Sequence, residues 1–114
     1  MTTMQSLQTV VELNTFIKRA KAIMSDDERA DIVSFLAANP EAGVSLGGGL
    51  RKVRIPRVGS GGYRTFYVFG GLAMPLILVT VFAKNEKDNL TKVEATAAVT
   101  LAKQLVAAYG GSNE

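Results

Sequence analysis

The stretch of residues 50–83, LRKVRIPRVGSGGYRTFYVFGGLAMPLILVTVFA, decides the fold. In residues 50–55, Leu50, Lys52 and Arg54 alternate with Arg51, Val53 and Ile55, which predicts a strand with one more polar face. Residues 63–69 are rich in aromatic and β-branched side chains, and residues 75–83 are almost entirely apolar. Runs of this length and composition, separated by glycine-rich segments, predict three antiparallel strands in a meander. The third run is apolar enough to predict a strand inside the sheet with both faces covered.

Helical signals precede the meander. Residues 9–13 form a short β-branched run that predicts an opening strand, and Asn14 is expected to cap the helix that follows. Ser25 and Glu28 have the spacing of a capping box, which predicts a second helix directly after the first. Pro40 ends that helix. Two helices so closely joined predict a helical hairpin.

Thr91 and Glu94 have the same capping-box spacing and predict a last helix that runs through an alanine-rich segment. Residues 41–49 are expected to form a loop. The predicted class is α+β, with the order β-α-α-β-β-β-α and a helical hairpin packed on a small, mostly antiparallel sheet. At 114 residues this is expected to be one domain over 1–114, with its core at about 9–108.

The composition excludes several kinds of chemistry. With 47% hydrophobic and 20% charged residues the chain is expected to fold, and with no cysteine or histidine it can hold neither a disulfide framework nor a histidine-based catalytic triad. No metal site and no cofactor are predicted. The beginning of the sequence does not resemble a secretory signal, so the expected location is the cytoplasm.

An uncharged span of nineteen residues, 65–83, is long enough to cross a bilayer as a helix. Gly70, Gly71 and Pro75 interrupt it, and β-branched and aromatic residues lie on either side of them. These residues favour a buried hairpin of two strands over a membrane helix.

The net charge of +3 is unevenly distributed. Residues 42–85 carry a charge of +6 without one acidic side chain, whereas the segments before and after are slightly acidic. The six basic residues are Arg51, Lys52, Arg54, Arg57, Arg64 and Lys84. They predict either a face that binds a polyanion or surface charges that meet acids from the two ends of the chain.

Four blocks of sequence carry a family likeness: NPEAG at 39–43, GGGLRKVR at 47–54, GGYRTFY at 61–67 and KNEKDNL at 84–90. In this order the blocks resemble the RelE/ParE toxin superfamily, and within it the HigB-type branch. The resemblance implies a toxin of a type II toxin-antitoxin system. RelE and HigB relatives cleave mRNA in the ribosomal A site, so ribosome and mRNA are expected partners, as is an antitoxin, usually a helix-turn-helix DNA-binding protein in the HigB branch.

RNA cleavage without a metal needs a nucleophilic 2′-oxygen, stabilisation of a charged phosphorane and a proton for the departing 5′-oxygen. Guanidinium groups can hold the charge, and a lysine crowded by other cations can exchange protons. Period-two alternation places Lys52 and Arg54 on one strand face, and a hairpin can bring Arg64 beside them, with Lys84 at the end of the third strand. These four are the predicted catalytic residues.

A second set of residues is predicted to bind RNA without taking part in the reaction; it consists of Arg51, Arg57, Tyr63 and Tyr67. Arg51 belongs to the family's basic strand pattern. Arg57 follows Pro56 in a turn that is expected to be flexible, which favours general attraction only, whereas Arg64 is expected to be rigidly placed.

Two departures from the family pattern leave other functions open. Asn85 and the region of Leu90 and Thr91 stand where the RelE branch has a basic residue and a tyrosine, and Ser60 stands where close HigB relatives have lysine or arginine. No proton shuttle is evident. The alternatives are a non-enzymatic inhibitor of DNA gyrase, as in ParE relatives, and a degenerate member that only binds antitoxin or RNA.

Overall fold

The computed structural model describes residues 7–57 and 60–109. In these residues the chain forms five strands and three helices: β1 Val10–Glu12, α1 Asn14–Ile23, α2 Asp26–Ala38, β2 Val44–Gly47, β3 Leu50–Arg57, β4 Ser60–Val68, β5 Leu76–Ala83 and α3 Lys92–Ala108. The predicted α+β class and the predicted order of helices are confirmed. The strands include one, β2, that the sequence did not predict.

The strands form a single sheet with the order β1-β5-β4-β3-β2. β1 pairs with β5 in parallel, and the other neighbours are antiparallel. β5 lies inside the sheet, and most of its side chains are buried. The uncharged span of residues 65–83 therefore contributes to two paired strands, as predicted. No helix in the described part of the chain is long and apolar enough to cross a membrane.

β2 corrects the prediction of a loop over residues 41–49. Val44 pairs with Lys52, and the chain then reverses through Gly47, Gly48 and Gly49, which all have positive φ angles. Glycine adopts these angles without a steric penalty, so the triplet makes the tight turn that pairing requires. All four residues of β2 are exposed. An exposed edge strand lacks the alternating burial pattern by which a strand is recognised in sequence.

β3 and β4 both extend further than predicted. β3 continues through Pro56 to Arg57, and β4 begins at Ser60, whereas a turn was expected over 58–62. Residues 58–59 lie outside the described part of the chain. A register shift between Ile55 and Arg57 marks a bulge.

Both faces of the sheet are covered by helices, which separate two cores. α1 and α2 pack on one face around Phe16, Ile32 and Leu36, and α3 packs on the other against Leu50 and Val68. Burial of these apolar side chains is the main force that holds the helices to the sheet.

The helix starts were mostly predicted correctly. The capping boxes of Ser25 with Glu28 and of Thr91 with Glu94 are both formed. Asn14, in contrast, is the first helical residue rather than the cap. Leu13 takes the cap position and makes no side-chain hydrogen bond there. A sequence places such boundaries only to within a residue or two.

Candidate functional site

The strand pair β3–β4 brings basic side chains together on the face that α3 covers. Lys52 and Arg54 follow Leu50 at alternate positions of β3, and Arg54 lies directly opposite Arg64 in the register with β4. Lys52 lies opposite Phe66, with its Nζ atom 5.9 Å from the centroid of that ring. Like charges directly opposite each other in a sheet repel, so the pairing of Arg54 with Arg64 costs stability unless an anion balances it.

Gly61 is the point on which three of the basic residues converge. Its carbonyl oxygen accepts hydrogen bonds from Arg54 Nε at 3.2 Å and from Arg64 Nη1 at 2.5 Å. The side chain of Lys84 lies against the α-carbon of Gly61, because a Cβ atom added there would stand 2.1 Å from Lys84 Cδ. Lys52, Arg54, Arg64 and Lys84 are called the cation cluster below. Only glycine leaves room for this packing.

Arg64 is the most buried member of the cation cluster, with 9% of its side chain exposed. Its Nε atom donates to Asp88 Oδ1 at 2.6 Å, so the guanidinium is held at two points, by Asp88 and by Gly61. The expected rigid placement of Arg64 agrees with this arrangement. Asp88 was not among the predicted site residues, although it is an acid within the fourth family block, 84–90.

The loop after β5 is fastened to helices on both sides. Glu86 accepts a hydrogen bond from Arg19 Nη2 at 2.6 Å, and this bond is the main reason that the pKa of Glu86 is lowered. Lys87 donates to Glu94, which together with the capping contact from Thr91 lowers the pKa of Glu94 to about 2. These contacts fix the segment that carries Asp88.

Arg57 lies at the end of β3 rather than in a flexible turn. Its Nε atom is 3.1 Å from Glu28 Oε2, and its guanidinium lies 5.4 Å from the centroid of the Tyr63 ring. Arg57 also lines a pocket of about 380 Å³ together with Gly61 and Lys84. It therefore borders the cation cluster from the side of α2, and its side chain is more exposed than that of Arg64.

The two tyrosines are core residues, and the prediction that they contact RNA is corrected. Tyr63 is 2% exposed and Tyr67 is fully buried, because both side chains point toward α1 and α2. The hydroxyl of Tyr63 donates to Glu28 Oε2 at 3.0 Å, and the hydroxyl of Tyr67 accepts the Gly43 N–H. Burial is the main cause of a raised pKa of Tyr63. Rings enclosed in this way cannot stack on bases.

Arg51 is not brought together with the cation cluster. It lies between Leu50 and Lys52 on β3 and so points to the opposite face of the sheet. Its Nη2 atom donates to the carbonyl oxygens of Glu41 and Gly43, at 3.1 and 2.5 Å. These bonds tie down the segment before β2, which gives Arg51 a structural role. The contact of Arg51 with RNA stays a prediction.

Two basic residues of the middle segment form ion pairs, as one interpretation of the sequence predicted, whereas binding of a polyanion stays a prediction. Arg57 and Arg64 meet acids from the ends of the chain, Glu28 and Asp88 respectively. Lys52, Arg54 and Lys84 form no ion pair with any described residue. Within the described ranges there is also no group of three or more acidic side chains that could hold a metal ion.

A family model described as "RelE toxin of RelE / RelB toxin-antitoxin system" matches residues 8–111. The chain belongs to this RelE toxin family. The resemblance to RelE/ParE toxins is thereby confirmed over nearly the whole chain, and the five-stranded sheet with its helical hairpin is consistent with a RelE-like fold. The protein is a toxin of a toxin-antitoxin system, and its family implies an antitoxin as partner.

Proposed function

We propose that this toxin is a ribosome-dependent mRNA endonuclease of the HigB-type branch. The observation that carries the proposal is the convergence of Arg54, Arg64 and Lys84 on Gly61. Lys52 lies two residues before Arg54 on β3, on the same face of the sheet. A group of this kind offers several donors to one phosphate, which is what stabilisation of a phosphorane requires.

The reaction can be assigned to these side chains atom by atom. The 2′-oxygen attacks the neighbouring phosphorus, the bond from phosphorus to the 5′-oxygen breaks, and the products carry a 2′,3′-cyclic phosphate and a 5′-hydroxyl. Arg54 and Arg64 stabilise the phosphorane charge. One of Lys52 and Lys84, as the neutral amine, takes the proton from the 2′-hydroxyl, and the other, as the ammonium, supplies one to the 5′-oxygen.

The unpaired cations support RNA as the ligand. Lys52, Arg54 and Lys84 lie within one region without a carboxylate partner among the described residues. Holding like charges together is unfavourable in the free protein, and a phosphate backbone relieves that repulsion while releasing its own counterions. The free energy stored in the repulsion therefore favours polyanion binding.

Arg57 and Arg64 have different roles in this proposal. Arg64 is fixed by Gly61 and Asp88, and a donor that is fixed beforehand needs no reorganisation as charge develops. Arg57 is partly exposed and shares its charge with Glu28, so it contributes to attraction of the RNA.

The most direct cellular test is to induce the toxin in growing bacteria and to map new transcript ends that carry a 5′-hydroxyl. Cleavage on translating ribosomes produces such ends inside open reading frames. A variant with Arg54→Ala is the matched control, because Arg54 is exposed and its loss leaves the core unchanged. Growth arrest with intact transcripts would reject the proposal.

A second candidate function is inhibition of DNA gyrase without catalysis. The observation in its favour is that neither a histidine nor a tyrosine of β4 can transfer protons at the cation cluster: the chain has no histidine, and Tyr63 and Tyr67 are buried on the other face. Relaxation of a reporter plasmid after induction, with transcripts left intact, would support this candidate. A degenerate member that only binds antitoxin or RNA would change neither the supercoiling of the plasmid nor the transcripts.

We further propose that the antitoxin is a helix-turn-helix DNA-binding protein encoded beside this gene, and that the toxin acts in the cytoplasm. The exposed cations make an acidic antitoxin segment a suitable inhibitor, because opposite charges steer and hold such a complex. Co-purification of the product of the neighbouring gene would support this. Failure of the two proteins to bind would count against the toxin assignment as a whole.

A further inference from the structure

Arg64 and Asp88 form an ion pair whose two members differ sharply in exposure. The Arg64 side chain is 9% exposed and held by Gly61, whereas the Asp88 side chain is 67% exposed. The contact is short, with 2.6 Å between Arg64 Nε and Asp88 Oδ1. The pair thus consists of a fixed, mostly buried cation and a carboxylate that is largely open to solvent.

The surroundings of this pair resemble a site for an anion. Arg54 stands directly across the strand pair from Arg64, and both guanidiniums donate to the Gly61 carbonyl. Among the described residues, Asp88 is the carboxylate that pairs with Arg64, and Arg54 forms no ion pair. A single carboxylate balances only one of two positive charges, so the site keeps an excess charge for a ligand.

We propose that the Asp88 carboxylate occupies, in the free toxin, the position that a phosphate of single-stranded RNA takes in the complex, and that this phosphate displaces it. This inference rests on the proposed function, since it takes RNA as the ligand of the cation cluster. It concerns a step that precedes cleavage, namely how the anion position on Arg64 becomes free.

The geometry of the guanidinium supports displacement. An arginine binds a phosphate best by two parallel N–H bonds from one edge. The edge formed by Nε and Nη2 already gives its Nε–H to Asp88. Nη1 donates to Gly61. A phosphate that takes the Nε edge has to replace Asp88. A backbone phosphodiester carries the same single negative charge on two non-bridging oxygens, so it can accept the same pair of N–H bonds as a carboxylate.

Asp88 therefore competes with RNA, and its removal strengthens binding. The test is the affinity for a single-stranded oligonucleotide with 2′-O-methyl groups at every position, measured by fluorescence anisotropy with the complete toxin. This RNA has no free 2′-hydroxyl, so the measurement reports binding even if the protein cleaves nothing. Asp88→Asn keeps the size of the side chain and removes its charge.

We expect Asp88→Asn to bind the oligonucleotide about three- to tenfold more tightly than the wild type, because the RNA no longer has to displace a charged competitor. Asp27→Asn is the matched control, since Asp27 is an exposed acid at the start of α2 and its loss changes the net charge equally. The control should tighten binding far less. Equal or weaker binding by Asp88→Asn, with the fold intact by circular dichroism, would overturn the proposal.

A measurement on the wild type does not depend on any variant. Inorganic phosphate is titrated while the nuclear magnetic resonance signals of Arg64 Nε–H and of the Asp88 carboxyl carbon are followed. Displacement predicts that both signals move together along one binding curve. If the Arg64 signal moves while the Asp88 signal stays fixed, or if neither responds, Asp88 is not displaced and the inference is wrong. If the titration shows no displacement, the nuclease proposal is still tested separately by the mapping of cleavage sites in cells.

Discussion

Replacement of Gly61 by alanine is the sharpest perturbation of the cation cluster that the structure offers. The added Cβ would lie 2.1 Å from Cδ of Lys84 and 2.9 Å from its Cβ, where contacts between carbon atoms are normally about 3.5 to 4 Å. Gly61 does not have a positive φ angle, so alanine is compatible with its backbone. The substitution therefore acts by displacing Lys84 and by shifting the carbonyl to which Arg54 and Arg64 bind.

The size of the effect follows from these distances. The Lys84 side chain has to move by about 1 Å or more to restore a normal contact, and a misplacement of about 1 Å in a catalytic group costs on the order of 100-fold in rate. Overpacking of this kind costs about 1–3 kcal/mol of folding stability, part of which is offset because alanine restricts the unfolded chain. The variant should fold and should cleave about 100-fold more slowly.

The assay is single-turnover cleavage of mRNA on ribosomes saturated with toxin, accompanied by thermal unfolding of each variant. Gly71→Ala is the matched control, because Gly71 has a φ angle of 120° and a Cβ there meets no atom within 4 Å. Its backbone strain costs about 1–3 kcal/mol at the other end of β4, far from the cluster. Cleavage by a folded Gly61→Ala variant at the wild-type rate would refute the role of this convergence.

Three further predictions test other parts of the account. Arg57→Ala removes a partly exposed ion pair with Glu28, so we expect stability to fall by less than about 1 kcal/mol, ribosome binding to weaken several-fold with a smaller salt dependence, and the single-turnover cleavage step to stay nearly unchanged. Tyr63→Phe removes a buried hydroxyl and should lower the free energy of unfolding by about 1 kcal/mol in denaturant titrations, with cleavage unchanged; a loss of cleavage would restore Tyr63 to the site. Because the pKa of Glu94 is lowered to about 2, its contribution to stability is present above its unfolded value and is lost as pH falls through about 2. Glu94→Gln should therefore melt earlier than the wild type at pH 7, and a difference in melting temperature that persists below about pH 2 would contradict this assignment.

The sequence predicted those parts of the fold that local patterns encode. Capping boxes mark the starts of α2 and α3, since the side chains that satisfy the first N–H groups are only three residues apart. The long apolar run identified β5 as an inner strand. β2 was missed because its residues are exposed, and an edge strand is held by backbone bonds to its neighbour rather than by a pattern of its own side chains.

The candidate site was predicted in part. Period-two spacing correctly placed Lys52 and Arg54 on one face of β3, and the hairpin brought Arg64 opposite Arg54. The same spacing places Tyr63 and Tyr67 together, but it does not tell that their face packs against α1 and α2. That assignment follows from the packing of the helices on the sheet, which joins segments that are distant in sequence.

The partners of the arginines required the tertiary structure. Asp88 reaches Arg64 from a loop twenty-four residues further along the chain, and no local spacing rule connects them. The sequence predicted only a capping role for Glu28. Its Oε1 atom does accept the Ser25 N–H of the capping box, but its Oε2 atom also pairs with Arg57. Such contacts join segments that are distant in sequence, so they follow from the packing of α2 and the loop after β5 against the sheet.

The central claim is that the cation cluster cleaves mRNA on the ribosome, and a reconstituted reaction tests it most directly. Ribosomes carrying an end-labelled mRNA with an open A site are mixed with the purified toxin or with the double variant Lys52→Ala and Arg54→Ala, whose side chains are not fully buried. The account predicts a cut in the A-site codon that leaves a 5′-hydroxyl, with no cut in free mRNA and a loss of at least about 100-fold in the variant. Intact mRNA on ribosomes that have bound the wild-type toxin would contradict it.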